Sequence, residues 1–169
     1  MHHLVTDAAI PAPWGTYTPV FLTDCDTRWL PDGRSMMLLA DFRSRDSRGV
    51  EWCAPRGAMV NGFSIPEPVQ WLPFIGPLIG SPLEGKGREG SVTHDVYCFY
   101  GTGQNPFCNR HERNCFHNMP DDFKPDVRPH ADVHHAFYEF CQVGGMRWLK
   151  ARLYYRAVRL GGPKWGGVA

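Results

Sequence analysis

An α+β fold is predicted: an N-terminal antiparallel β-meander packed on a C-terminal three-helix unit. Short apolar runs separated by turn dipeptides fill the chain up to residue 60, and apolar residues at helical spacing dominate beyond residue 88. The length, 169 residues, is about that of one domain and suffices to bury a core. The chain therefore reads as a single domain over 1–169. It divides into an arm (1–16), the meander (17–60), loops around a central helix (61–128) and a two-helix C-terminal part (129–169).

Residues 1–16 are rich in proline and small side chains. Thr16 to Thr23 is a β-rich run, and Leu30-Pro-Asp-Gly-Arg34 is a turn centred on Asp-Gly. The apolar run Met36 to Phe42 follows, then a second turn at Ser47-Arg-Gly49, then the alternating stretch Val50 to Ala54. Two turns between three short strands describe the meander. Few reactive side chains occur here, so this half is scaffold.

From Met59 the character changes. Val60-Asn-Gly-Phe-Ser-Ile-Pro66 leads into a proline-rich loop with Trp71 and the glycine-spaced segment 80–90. Asn61-Gly62 permits a left-handed turn that can face carbonyl oxygens outward. Gly85, Gly87 and Gly90 make no phosphate loop, because no Gly-Lys-Ser/Thr follows them.

Arg88 to Tyr100 is the central helix. Val92, Val96 and Phe99 share an apolar face, and His94 lies on roughly the opposite side with Ser91, Tyr97 and Cys98 as neighbours. Asp95 is about 100° of rotation from His94, so each addresses a different partner. Residues 101–128 are too punctuated by proline for a long element and read as a surface excursion. Pro129 then opens a helix with an apolar stripe of Val133, Ala136, Phe137, Phe140 and Cys141. Asp132, His135 and Glu139 lie on one flank, and Gly144-Gly145 ends it. The last helix runs from Met146 to Leu160, with Met146, Leu149, Leu153, Ala157 and Leu160 expected inward and Arg147, Lys150, Arg152, Arg156 and Arg159 outward. Trp165 is expected to pack the tail down.

The formal net charge is +1 and no run of Lys and Arg occurs, which argues against nucleic acid as a partner. The first residues lack the basic start and apolar run of a signal peptide. The longest apolar stretch, 69–79, is too short and too interrupted to span a bilayer. Synthesis in the cytoplasm is expected, with export by another route or association with a virion. Of the six cysteines, Cys108 and Cys115 flank His111, with His117 beyond, but no Cys-x-x-Cys pair occurs. Reduced thiols are expected over zinc. His130, His134 and His135 form no His-Glu-x-x-His pattern and are expected on a solvated face.

A helix bearing His-Asp, followed by a second helix bearing an Asp, suits ester hydrolysis. A neutral imidazole takes a proton from water, a carboxylate on the next helix steadies the imidazolium, and the adjacent carboxylate holds a cation. From Phe21 to Trp165 the chain resembles a phage and bacterial family known only as a domain of unknown function. The matching stretches are Asn61-Gly-Phe-Ser-Ile-Pro66, His94-Asp-Val-Tyr97, Ala131-Asp132 with Phe137, and Tyr155-Arg-Ala-Val-Arg159 through Gly162 to Trp165. That resemblance implies phage or prophage ancestry.

More distantly, residues 61–141 resemble the bacterial and fungal phospholipases of the A-two type. This second resemblance implies His94 as general base and Asp132 as the residue orienting it. It also implies Asp95 as a calcium ligand, with Asn61 and Gly62 in the place of the calcium loop. Asn61 departs from the family's aspartate there. Tyr97 and Ser64 are expected at the substrate, and Arg159 and Trp165 in structural roles. The expected activity is that of a cell-envelope hydrolase, a phospholipase-like esterase acting on membrane phospholipid. Such an enzyme would serve as a phage product or an antibacterial effector delivered by a secretion apparatus. The alternatives are a non-enzymatic protein of the phage particle or tail, and third a zinc-dependent peptidoglycan amidase.

Overall fold

The computed structural model describes residues 15–33, 35–61, 85–103, 124 and 126–165. Among the described residues six strands precede three helices: β1 (Val20–Phe21), β2 (Thr27–Trp29), β3 (Met36–Leu38), β4 (Phe42–Arg45), β5 (Glu51–Ala54), β6 (Met59–Val60), α1 (Arg88–Gly101), α2 (His130–Val143) and α3 (Trp148–Gly161). The fold is α+β. Its strands form two three-stranded antiparallel sheets, ordered β1-β4-β5 and β2-β3-β6.

Both predicted turns close hairpins. The Asp-Gly turn joins β2 to β3, with Gly33 at φ 63°, and the Ser47-Arg-Gly49 turn joins β4 to β5, with Gly49 at φ 82°. Those positive φ values are cheap only for glycine. The run Met36 to Phe42, expected as one strand, is two. β3 pairs with β6, and after a bend the chain re-enters as β4 in the other sheet. Alternation explains which side of each strand is covered: Met36, Leu38, Phe42, Trp52 and Ala54 are buried, while their neighbours Arg43 and Glu51 are exposed.

Helix α1 packs against β5 and β6 on one side and α2 on the other. Every residue from Gly90 to Tyr100 is buried, so the expected polar outer side of this helix does not reach solvent. The reason is tertiary: a helix sandwiched between sheet and helix has no free face, and its polar residues must find partners inside. Phe140 of α2 meets Phe21 at 6.0 Å and Trp52 at 6.4 Å between ring centroids, which ties α2 to the first sheet.

Helix α3 corrects a second expectation. Ala151, Tyr154 and Tyr155 are its buried residues, whereas Leu149, Leu153 and Leu160 point outward. Ala151, Tyr154, Tyr155 and Val158 have the same i, i+3, i+4, i+7 spacing as an apolar stripe, so periodicity alone offered two inner faces. The tyrosine face wins because its rings cover polar-edged partners on α2. Tyr155 lies 5.5 Å from Tyr138 and 5.8 Å from His135.

Candidate functional site

His94 leaves α1 toward α2, where its Nε2 meets Nδ1 of His134 at 3.0 Å. Its Nδ1 stands 3.9 Å from Asp95 Oδ1, within ion-pair reach and beyond hydrogen-bond length. The Phe137 ring packs on the imidazole, centroids 4.9 Å apart. Cys98, one turn on, places its sulfur 3.6 Å from Nε2 and 3.7 Å from Nδ1 of His94. At these distances the sulfur is within hydrogen-bond reach of the imidazole. His94 and Asp95 are each 7% exposed.

The C-terminal segment covers the far side of the pair. Trp165 Nε1–H donates to the Arg128 carbonyl at 2.7 Å, and the Trp165 carbonyl meets His130 Nδ1 at 2.7 Å. Its ring lies 5.8 Å from that of His130 and 6.3 Å from that of His134. Gly101 makes this docking possible, since a Cβ there would sit 1.9 Å from the indole. Trp165 is thus held against α1 and α2, and Arg159 lies over the Tyr155 ring at 5.5 Å.

The two histidines are driven apart in proton affinity. Burial opposes charge on His94, but Cys98 and Asp95 outweigh it and raise the pKa to about 10. At His134, burial comes first among the causes, followed by the charges of His94 and His130, and the pKa falls to about 3. The consistent arrangement at neutral pH is an imidazolium at His94 whose Nε2–H donates to neutral His134.

Asp132, expected to orient His94, is engaged elsewhere. Its Oδ2 accepts from Arg48 Nη1 at 2.8 Å. Arg48 also pairs with Asp46, which in addition accepts from the Arg48 and Val50 amides, each at 2.9 Å, and from Trp52 Nε1 at 3.2 Å. Beside them Glu139 accepts from the Ser47 amide at 3.0 Å and the Ser47 hydroxyl at 2.5 Å. Asp132 and Glu139 thus face the β4–β5 turn and His135 packs between Glu139 and Tyr155 of α3, while His130 and His134 face α1 and the C-terminal segment. Two residues along a helix are about 200° of rotation, so Asp132 and His134 address nearly opposite sides.

The expectation that His134 and His135 lie on a solvated face is overturned: each is 1% exposed. A signal for His134 was present. It shares i, i+4, i+7, i+11 spacing with His130, Phe137 and Cys141, which places it in the apolar stripe.

Tyr97 is nearly buried. Its hydroxyl accepts from the Cys53 amide at 3.1 Å, and its ring helps line a cavity of about 330 Å³ with Arg43, Cys53, Tyr100, Lys124 and Asp126. Among the described residues no group of three or more His, Cys, Asp and Glu side chains is suited to a metal ion. Asn61 Oδ1 is buried with no hydrogen-bond partner among the described residues. Gly62, Ser64, Cys108, His111, Cys115 and His117 lie outside the described residues, as does residue 1–14 of the arm. Cys25, Cys53, Cys98 and Cys141 are free thiols.

Residues 36–158 match the model of a family described as a protein of unknown function (DUF1353), and the chain belongs to that family. Two relatives from Sinorhizobium fredii (strain NBRC 101917 / NGR234) are similar to it. Uncharacterized protein y4iH is 30% identical over 135 residues, covering 80% of this chain and 44% of the relative. Uncharacterized protein y4jT is 30% identical over 128 residues, covering 76% of this chain and 29% of the relative. The chain thus spans less than half the length of these curated relatives. No solved structure gives a significant match.

Proposed function

We propose that this family member is a hydrolase of cell-envelope lipid esters in which His94 moves the proton and His134, rather than Asp132, holds it. The supporting observation is the 3.0 Å bond between His94 Nε2 and His134 Nδ1 across two packed helices. It fixes the ring of His94 and leaves its other nitrogen on the side of Asp95. That is the layout of a proton-transfer residue with an orienting partner, built here from two imidazoles.

The resting imidazolium must first release its proton to solvent. Neutral His94 then takes a proton from water as that water attacks the ester carbonyl, and the imidazolium so formed returns the proton to the departing alkoxide. Calcium held at Asp95, with Asn61 and Gly62 adding oxygens, would supply positive charge beside His94 and lower its pKa toward the neutral base. The orphaned Asn61 Oδ1 suits such a role. Tyr97, one turn from His94 on α1, lines a ligand-sized space and is assigned to substrate contact. Delivery into a target envelope, from a phage particle or a secretion apparatus, would bring the enzyme to this substrate.

A second reading, a non-enzymatic virion or tail-associated protein, is favoured by the 7% exposure of His94. One experiment separates the two. Phospholipid hydrolysis is measured with purified wild type and His94→Ala, each with calcium and with chelator, alongside circular dichroism. The hydrolase reading expects calcium-dependent turnover that falls roughly 10²–10⁴-fold in His94→Ala while the fold persists. Turnover unchanged in the variant, or absent from wild type, sinks it.

A further inference from the structure

Helix α3 turns two unlike faces to its surroundings. Ala151, Tyr154 and Tyr155 are buried, Ala151 and Tyr154 in one cluster with Phe137 and Cys141 of α2. At 100° per residue, Leu149, Leu153 and Leu160 come together on the opposite side. They are 55%, 54% and 82% exposed, and Trp148 at the helix start is 54% exposed. One exposed leucine needs no explanation, but three in register form an apolar stripe that does.

The charges around the stripe are of one sign. Residues 147–161 contain Arg147, Lys150, Arg152, Arg156 and Arg159 and no acidic residue, although the whole chain carries only +1. Helical rotation puts Arg152, Arg156 and Arg159 along one border of the leucines and Lys150 along the other. Arg152 lies 5.8 Å from the Trp148 ring, its stem along the helix surface.

We propose that this face of α3 seats the protein on the surface of an anionic phospholipid bilayer. The leucines enter the boundary between headgroups and acyl chains, and the arginines meet lipid phosphates. Charge complementarity decides the occupant. A second copy of this chain, meeting the same face across a two-fold axis, would press four cations against four. The helix of 14 residues is about 21 Å long, and among the described residues no helix is long and apolar enough to cross a membrane. It lies on the bilayer. This inference stands apart from the hydrolase reading, because attachment needs no turnover.

The test is co-sedimentation of the full chain with phosphatidylcholine vesicles, with and without phosphatidylglycerol. Wild type is expected to bind the anionic vesicles, less so as salt rises. The double variant Leu153→Asp/Leu160→Asp should lose at least tenfold in partitioning while its circular dichroism is unchanged, both positions being exposed. His94→Ala should bind as wild type does, so failed catalysis and failed attachment are read separately. Three results overturn the proposal: no binding by wild type, equal binding by the leucine double variant, or a wild-type dimer in sedimentation velocity that the double variant abolishes while vesicles stay bare.

Discussion

On one flank of α2, Glu139 accepts two hydrogen bonds from Ser47 and Asp132 accepts one from Arg48. On the other flank, His134 accepts one from His94, and the neighbouring carboxylate, Asp95, stands at 3.9 Å. Both clusters are largely buried and both join α2 to another element. The turn cluster matches donors of Ser47, Arg48, Val50 and Trp52 to carboxylate oxygens, which is what burial demands of a permanent joint. The histidine cluster holds one proton, on His94, beside a neutral His134. The first cluster is saturated, whereas the second carries a proton that can move. Substitutions on the two flanks should therefore fail in different ways.

The largest effect is expected at the turn. Asp46→Ala would strand the buried Trp52 Nε1–H and two backbone amides, at roughly 1–3 kcal/mol for each unsatisfied group. Coupling among them brings the expected total to about 3–5 kcal/mol. Urea unfolding reads it as a lower midpoint. A loss below about 1 kcal/mol would show that the turn does not anchor α2 and would dissolve the contrast.

Next come the histidines, where the loss should be of turnover. His94→Ala and His134→Ala should each reduce lipid hydrolysis by roughly 10²–10⁴, and the double variant should be little worse than either single one. Losses that multiply would mean the two rings act independently.

The proton itself gives a further handle. An unfolded histidine titrates near 6.5, whereas the folded pair keeps one proton from about pH 3 to about pH 10. His134, with its pKa depressed, loses its contribution as pH falls from 6.5 toward about 3. His94, with its pKa raised, contributes fully below 6.5 and loses that contribution as pH rises toward about 10. The pair's stabilisation should peak near pH 6.5 and decline on both sides, by no more than about 1.4 kcal/mol per pH unit. Subtracting the stability of a His94→Gln/His134→Gln variant from that of wild type across this range isolates the curve. A flat difference would mean that both rings titrate normally.

Much of the frame was legible because it depends on local rules. Asp32-Gly33 and Gly49 mark the two hairpins, and the His-Asp segment is a helix as its spacing requires. The surroundings of His94 were legible only in part: its neighbours on α1 follow from spacing, but the side chain it meets on α2 does not. Asp132 and His134 sit two residues apart on α2, and which of them faces α1 depends on how that helix is rolled against the sheet. Packing of Phe140 between Phe21 and Trp52 sets that roll, and the one-dimensional pattern does not encode it. The same ambiguity reversed the faces of α3, where leucine and tyrosine stripes compete for the core and the contact with Tyr138 and His135 decides.

The smallest expected effect is the most discriminating one. Arg48 and Asp132 are 27% and 30% exposed in their side chains, so their ion pair is partly screened and its loss should cost at most about 1 kcal/mol. Asp132→Asn keeps the shape and one acceptor oxygen toward Arg48, which lowers the cost further. If His134 is the residue that orients His94, hydrolysis in Asp132→Asn should stay within about twofold of wild type, since nothing in the histidine pair changes. A phospholipase-type dyad demands the reverse, because an aspartate that steadies an imidazolium supplies a charge that asparagine lacks. Comparing Asp132→Asn with His134→Ala in one assay therefore assigns the partner of His94 by function, and a loss confined to Asp132→Asn would move the orienting role to the flank that now looks purely structural.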